Sequence, residues 1–336
     1  MKALKIILIN LLMVLVFAEL GLRLLGFTGL HPYTVVSSPT NCLRPSEEMG
    51  FELNPGAFSV VINENLRYSA THLDCGWGTV RTTGRPLASS DSLILLTGCS
   101  FTYGMGVDDS LTYPFRLQAL FPDHTIVNAA VPAHGTLQTL LLLDWLLKSG
   151  VRPARLIYHY ISLHEDRNIL GRSFQQLLAR ESRVGSNSDE LPKLPLEAYF
   201  PYGKIDQQGN LTIQHSRPEA RNLLASLRSY SALVNQLEFL YTRVCSSKMR
   251  AEKVTEAALS AIAERCQQES IPFTVAILEE NADHHLRRFC RQKSIPFLDL
   301  TLDYSDESLL NLPYDSHPNA KAHGLWAAKM EAYLFP

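Results

Sequence analysis

The sequence predicts an α/β protein, a three-layer α/β/α fold on a mostly parallel, five-stranded sheet, preceded by an N-terminal transmembrane helix. Three observations carry that expectation. Apolar runs alternate with amphipathic stretches from residue 91 onward, an apolar N-terminal run follows two lysines, and 46% of the 336 residues are hydrophobic against 19% charged. Such a chain can bury one large core. Its formal net charge of -2 lacks the basic footprint with which a nucleic-acid binder neutralises phosphates, so no nucleic-acid partner is expected. No fixed-period repeat or low-complexity tract interrupts the chain.

The first segment, residues 1–27 (MKALKIILINLLMVLVFAELGLRLLGF), places Lys2 and Lys5 before an apolar run from Ile6 to Ala18, with Glu19 and Arg23 the only charges that follow. Those two lie one helical turn apart on one face, where they can pair or snorkel. The run to Phe27 is then long enough for a bilayer, which takes ~20 residues at ~1.5 Å each. A signal-anchor is the first reading. A cleaved signal peptide is the second, because Val16-Phe17-Ala18 offers a small-residue site. In both, the lysines stay cytoplasmic and the remainder crosses the membrane.

Residues 28–90 are rich in Pro, Ser, Thr, Asn and Gly, with short alternating pieces such as FSVVI, and read as a juxtamembrane segment with a small β element. The globular domain is expected over 91–336. SLILLTG, HTIVNAAV and ARLIYHYIS read as strands, separated by helices LTYPFRLQALF and TLQTLLLLDWLLKSG, the latter stopping on Gly150. AEKVTEAALSAIAERCQQES is an amphipathic helix, followed by strand PFTVAIL, helix ADHHLRRFCRQKS, strand IPFLDL and a closing helix over about 319–333. Five near-continuous apolar strands need cover on both faces, which the intervening helices supply. Between about 171 and 248 the alternation lapses into polar, Pro/Gly-punctuated sequence, either an insertion or lid over the strand ends or a plain surface excursion.

Two stretches carry chemistry. In SLILLTGCSFTYGMG a strand runs into Gly98-Cys99-Ser100, with Gly104 and Gly106 beyond. Ligands bind outside the carboxyl ends of parallel strands, and a tight strand-to-helix turn can expose a hydroxyl there while its N–H groups face a developing oxyanion. In LPYDSHPNAKAHG, Asp315 and His317 precede Pro318, Asn319 and the last helix. A neutral imidazole can accept a serine proton, and a nearby carboxylate can fix the ring's tautomer. Each stretch also has a structural reading: Ser100 as a helix cap and DSHP as an exposed turn. His323 reads as a helix-surface residue, and Cys99, adjacent to Ser100 but on the other side of the chain, as a buried filler.

Other features point to no further chemistry. GCSFTYGMG lacks both the phosphate-loop and the dinucleotide glycine patterns. His284 and His285, beside Arg287 and Arg288, read as a solvated helix face. Cys42, Cys75, Cys99, Cys245, Cys266 and Cys290 have no metal-type spacing; Cys42 and Cys75 are the pair to test for a disulfide in an exported chain. Asn210-Leu211-Thr212 fits a glycosylation sequon, relevant only to a eukaryotic secretory route.

Taken together, GCS and DSHPN resemble the corresponding motifs of the SGNH/GDSL family of serine ester hydrolases, and the resemblance covers roughly 91–336. It implies a flavodoxin-like sheet, Ser100 as nucleophile, His317 as base and Asp315 as its orienting carboxylate. It also implies an oxyanion hole that draws on the Ser100 N–H. In NAAVPAHGT, Ala133 takes the place of the family's donor glycine, with Gly135 as the alternative. In SLHEDRN, Glu165 falls where the family has an asparagine. A carboxylate there would repel an oxyanion, and losing one donor removes about 2.7–4 kcal/mol of transition-state stabilisation. His164, Arg167 and Asn168 are the candidate replacements, and a protonated or averted Glu165 is the other way out. The resemblance implies an acyl ester substrate, carbohydrate esters included, and no metal or organic cofactor. Membrane-anchored members of the family begin with an apolar helix like FAELGLRLLG. Three functions follow: an ester hydrolase, an O-acyltransferase modifying a surface glycan, or a non-catalytic envelope protein with a degenerate site.

Overall fold

The computed structural model describes residues 2–30, 33–87, 92–183, 198–218, 225–245, 247–279 and 284–334. It divides into two compact units, Met1–Tyr33 with Glu219–Ser247, and Thr34–Pro218 with Lys248–Pro336.

The smaller unit is helical. Its α1 (Lys2–Leu24) has mean hydropathy 2.3 and no buried residue, so it is long and apolar enough to cross a membrane, a test that a signal sequence also passes.

The larger unit begins with strands β1 (Val35–Ser38), β2 (Leu43–Ser46), β3 (Gly50–Leu53), β4 (Gly56–Ile62), β5 (Leu66–Asp74) and β6 (Thr79–Arg81). Then come β7 (Leu93–Thr97), α2 (Ser100–Tyr103), α3 (Tyr113–Leu120), β8 (Thr125–Asn128), α4 (Thr136–Lys148), β9 (Arg155–Tyr160), α5 (Leu163–Asn168) and α6 (Arg172–Arg183). A hairpin, β10 (Phe200–Ile205) with β11 (Leu211–Ser216), leads to α7 (Ala225–Tyr230) and α8 (Ala232–Cys245), which belong to the smaller unit. The larger unit resumes with α9 (Lys248–Gln268), β12 (Phe273–Glu279), α10 (His284–Gln292), β13 (Phe297–Leu302) and α11 (Ala320–Leu334).

Strands β8, β7, β9, β12 and β13 run parallel, in that order. Numbered along the chain this is 2-1-3-4-5, the order of a flavodoxin-like sheet, with its switch point between β7 and β9. Period-two alternation sends Leu93 and Leu95 into a core with Leu140 and Leu143 of α4, Leu259 and Ile262 of α9 and Phe289 of α10. Ile94 and Leu96 face the opposite core, with Leu117 of α3 and Trp326 and Met330 of α11. Helices therefore cover both faces, and each fully buried aliphatic contributes roughly 1.5–3 kcal/mol. The α4 C-terminus follows the expected punctuation: Gly150 sits at φ 78°, a left-handed geometry that stops the helix.

The sheet is larger than the five strands expected. β6 pairs antiparallel with β8 through Arg81 and Asn128, and β5, β4 and β1 follow outward, giving nine strands. The stretch read as a juxtamembrane segment thus supplies an antiparallel wing of the main sheet, β1, β4, β5 and β6, as well as a separate two-stranded sheet of β2 with β3. The alternation in β4 and β5, whose inward residues include Phe58, Val60, Ile62, Tyr68 and Ala70, marks a half-buried hairpin but not its docking partner. The stretch at 171–248 is likewise not one insertion. Its hairpin stays with the larger unit, α7 and α8 with the smaller, and residues 184–197 lie outside the described residues. Cys42 is buried, Cys75 half-buried, and both are free thiols rather than a disulfide.

His323 is a further correction. It is 1% exposed, because α11 turns Ala322, His323, Trp326, Ala327 and Met330 inward; its Nδ1 accepts the Tyr113 N–H at 3.1 Å. Its ring also stacks on Tyr113. Burial is the main force lowering the pKa of His72, His134 and His159 to about 4 and of His323 to about 3. In the unfolded chain these imidazoles titrate near 6.5. Between the two values the unfolded state binds more protons, so stability falls as pH falls. Urea unfolding of the full chain should accordingly show a midpoint steady above about pH 7 that drops from about pH 6.5 toward pH 4, each histidine contributing roughly 3 kcal/mol; a midpoint flat from pH 7 to 4.5 would contradict this.

Candidate active site

β7 ends at Thr97, and the chain turns on Gly98 at φ 149°, where a Cβ would stand 2.9 Å from the His159 carbonyl oxygen. Only glycine fits so close to β9. Cys99 then points into the core against α3 and α11, and Ser100 opens α2. Gly104, left-handed at φ 91°, closes that single turn by donating its N–H to Ser100 O. As the first residue of a helix, Ser100 has an N–H with no acceptor inside the helix.

The second arm is the loop before α11. Asn311 donates its backbone N–H to His317 O, and the Asn319 amide donates to Ser308 O and Leu310 O. Asn319 Oδ1 also accepts the Lys321 and Ala322 N–H groups, starting the helix as its sequence suggested. This tied loop brings together residues 217 positions apart: His317 Nε2 lies 2.9 Å from Ser100 Oγ. His317 Nδ1 lies 2.8 Å from Asp315 Oδ2 and 2.9 Å from Oδ1. A carboxylate only accepts, so Nδ1 carries the ring proton and Nε2 presents its lone pair to the serine hydroxyl. Phe101 sets its ring edgewise on His317, with centroids 5.7 Å apart. Ser100 and Asp315 are each 5% exposed, while the His317 side chain keeps 18%, leaving the imidazole the most open of the three.

The loop after β8 carries the other proposed donors. Ala133 holds φ 63°, the conformation that glycine adopts without penalty, at the position where the resembling family places glycine. Gly135 donates its N–H to Gln138 Oε1 at 2.9 Å, which removes it as an oxyanion donor. The loop is braced by His134, whose Nε2 meets Phe51 O at 2.8 Å, and by Arg167 Nη1 donating to His134 O at 2.8 Å.

Glu165 accepts the Tyr160 hydroxyl at 2.7 Å. Tyr160 belongs to the α4/α9 core. Each of the three candidate replacements makes a structural tie, although His164 Nε2 is a buried atom with no hydrogen-bond partner. His164 is fully buried with Nδ1 at 2.6 Å from the Tyr158 hydroxyl, and burial holds it well below the usual imidazole range. Asn168 commits its amide hydrogens to Thr136 Oγ1 and Thr255 Oγ1, and Arg167 braces the β8 loop. A cavity of about 240 Å³ adjoins the two turns, its lining including Thr97, Gly98, Val131 and His134.

Arg81 escaped the sequence reading. It is 0% exposed and uses all five N–H donors: Nε to Asp109, Nη1 to Tyr103 O and Gly104 O, Nη2 to Ser69 O and Val107 O. Its guanidinium also lies over the Tyr103 ring, 4.6 Å from the centroid. It thereby fastens the chain that follows Ser100 to the antiparallel wing.

No protein-family model matches the sequence, and no curated protein matches it. Solved structures do. They include a lipolytic protein of the G-D-S-L family from Desulfitobacterium hafniense, 13% identical over 72% of this chain and 99% of that one, with a TM-score of 0.37. A second G-D-S-L lipolytic protein, from Veillonella parvula, is 11% identical over 72% and 97%, with a TM-score of 0.36. A catalytic mutant of an acetylxylan esterase from Geobacillus stearothermophilus is 10% identical over 75% and 97%, with a TM-score of 0.38. These matches are lipolytic proteins and esterases.

Replacing Arg81 by Met should cost about 3–5 kcal/mol, because Asp109 and four carbonyl groups each lose a charge-assisted hydrogen bond while still largely buried. Arg81→Lys, with three donors instead of five, should recover only part of that. Urea unfolding of the three proteins measures the difference; equal midpoints would show that the wing is not held by this side chain.

Proposed function

We propose that the protein is a membrane-anchored serine ester hydrolase that acts through Ser100, His317 and Asp315. The observation that carries this reading is the unbroken line Ser100 Oγ, His317 Nε2, His317 Nδ1, Asp315, each link a hydrogen bond under 3 Å, joining two motifs from opposite ends of the domain. A structural cap or an exposed turn would not require that alignment.

In this mechanism His317 takes the hydroxyl proton as Ser100 Oγ bonds to the ester carbonyl carbon. The carbonyl electron pair moves onto oxygen, which the N–H groups of Ser100 and Ala133 stabilise. The pair returns as the carbon–alkoxy bond breaks, and His317 passes its proton to the departing alcohol. Water, deprotonated by the same imidazole, then releases the acid and restores the serine. Asp315 stays ionised and balances the imidazolium. The Tyr160 hydroxyl engages the Glu165 carboxylate, and the hole in this reading works with two backbone donors.

The anchor is α1. Lys2 and Lys5 keep the N-terminus cytoplasmic, so the larger unit lies on the far side of the membrane, where esters of envelope carbohydrates are candidate substrates.

The full chain in detergent should hydrolyse a short-chain aryl ester. Ser100→Ala should lower kcat by about 10⁶-fold and Asp315→Asn by roughly 10⁴-fold, and a fluorophosphonate should label Ser100 in the parent but not in Ser100→Ala. Unaltered turnover in Ser100→Ala would remove the assignment, and acyl groups appearing on a glycan hydroxyl with little free acid would identify a transferase instead.

A further inference from the structure

The smaller unit presents an inverted helix. In α8, Ala232, Glu238 and Thr242 are buried, at 0%, 7% and 8% exposure, while Leu237, Leu240 and Val244 stand out at 55%, 53% and 82%. These three occupy i, i+3 and i+7, one stripe of a helix, and Phe239 adds a further apolar ring at 56% exposure. A helix bathed in water places such a stripe inward. One that places it outward faces a solvent of another kind.

The identity of that solvent follows from what α8 is fastened to. Glu19 of α1 accepts hydrogen bonds from Ser231 Oγ at 2.7 Å and from the Ala232 and Leu233 N–H groups at 3.0 and 2.8 Å, capping the first turn of α8. Asn235 donates to Thr28 O, Arg23 to Tyr230 O, and the Leu30 N–H to Arg228 O. All of these bonds join α7 and α8 to the last turns of α1 and the residues just after it. Earlier in α1, residues 2–17 are all exposed, and Leu24 and Leu25 remain 88% and 76% exposed at its end.

We infer that α8 is a membrane-surface helix, its Leu237, Leu240 and Val244 stripe lying in the boundary between lipid headgroups and acyl chains on the side where α1 leaves the bilayer. The depth agrees. Glu19 is five residues before the end of α1 at Leu24, about 7.5 Å along the axis at ~1.5 Å per residue. Interfacial helices bury their apolar face by roughly 5–10 Å. Tyr230, 78% exposed beside the start of α8, is a residue type favoured at that level, and Arg243, exposed near the end of α8, can reach lipid phosphates. The inference rests on the reading of α1 as an anchor and adds a second, peripheral attachment formed by residues more than 200 positions later in the chain, as the Glu19–Ser231 separation of 212 shows.

The test uses the full chain reconstituted in nanodiscs of phosphatidylcholine and phosphatidylglycerol. A benzoylphenylalanine photocrosslinker is placed singly at Leu12, Leu240, Val244 or Leu120, the last an exposed leucine of the larger unit. Lipid adducts detected by mass spectrometry should form at Leu12, Leu240 and Val244 in comparable yield and be lost at Leu120. Adducts at Leu12 without adducts at Leu240 and Val244 overturn the surface-helix assignment while sparing the anchor. Crosslinked dimers through Leu240 or Val244 in place of lipid adducts also overturn it and assign the stripe to a second copy of the chain. Absence of adducts at Leu12 refutes the anchor, and the inference with it.

Discussion

The buried guanidinium of Arg81 is the constraint on which the rest of the larger unit turns. A charge with no solvent exposure is tolerable only if every donor is met, and here all five are. Four of the acceptors are carbonyl oxygens, on Ser69, Tyr103, Gly104 and Val107, so the side chain fixes backbone rather than other side chains. Three of those carbonyls lie just beyond Ser100. The geometry of the Ser100 turn is thus set partly by a residue of the antiparallel wing. Asp109 completes the arrangement by accepting from both Arg81 and the Thr71 N–H of β5. Wing and serine turn are one hydrogen-bonded body, which explains how a short, single-turn α2 keeps its place without length of its own.

The same logic, backbone held by side chains, recurs on the histidine side. Asn311 and Asn319 close the loop before α11, and Phe101 packs against the imidazole from the serine's own turn. Hydrogen-bonded loops at strand ends give a serine and an imidazole the fixed separation that proton transfer requires. The surrounding histidines are treated oppositely. His134, His159 and His323 are sealed in the core and held neutral, acting as fixed hydrogen-bonding rings, while His317 alone among these keeps an opening to solvent.

Much of the parallel core was legible because its signals are local. β7, β9 and β12 are near-continuous apolar runs, α4 stops where Gly150 supplies a left-handed residue, and α11 starts where Asn319 caps it. The Ser100, Asp315 and His317 set was legible because each motif carries its own turn chemistry. What escaped was non-local. The alternation in β4 and β5 announces a hairpin with one wet face, but nothing in it names β8 as the edge it joins. Arg81 sits in a three-residue strand, TVR, and an arginine there reads as surface by default. His323 misled for the same reason, since the inward face of α11 is defined by Trp326 and Met330 only once the helix is docked. Ala133 shows the converse: its left-handed backbone, a conformation that glycine adopts without penalty, is visible only in coordinates.

The bond between Glu19 and the start of α8 also sets an order of events during synthesis. Glu19 emerges from the ribosome 212 residues before Ser231, its partner. At elongation rates of roughly 5–20 residues per second that interval is about 10 to 40 s. Through it the carboxylate must wait without its cap, and both the wing and the serine turn have left the ribosome before the helix that it secures exists. Completion of the smaller unit is therefore a late step in biogenesis.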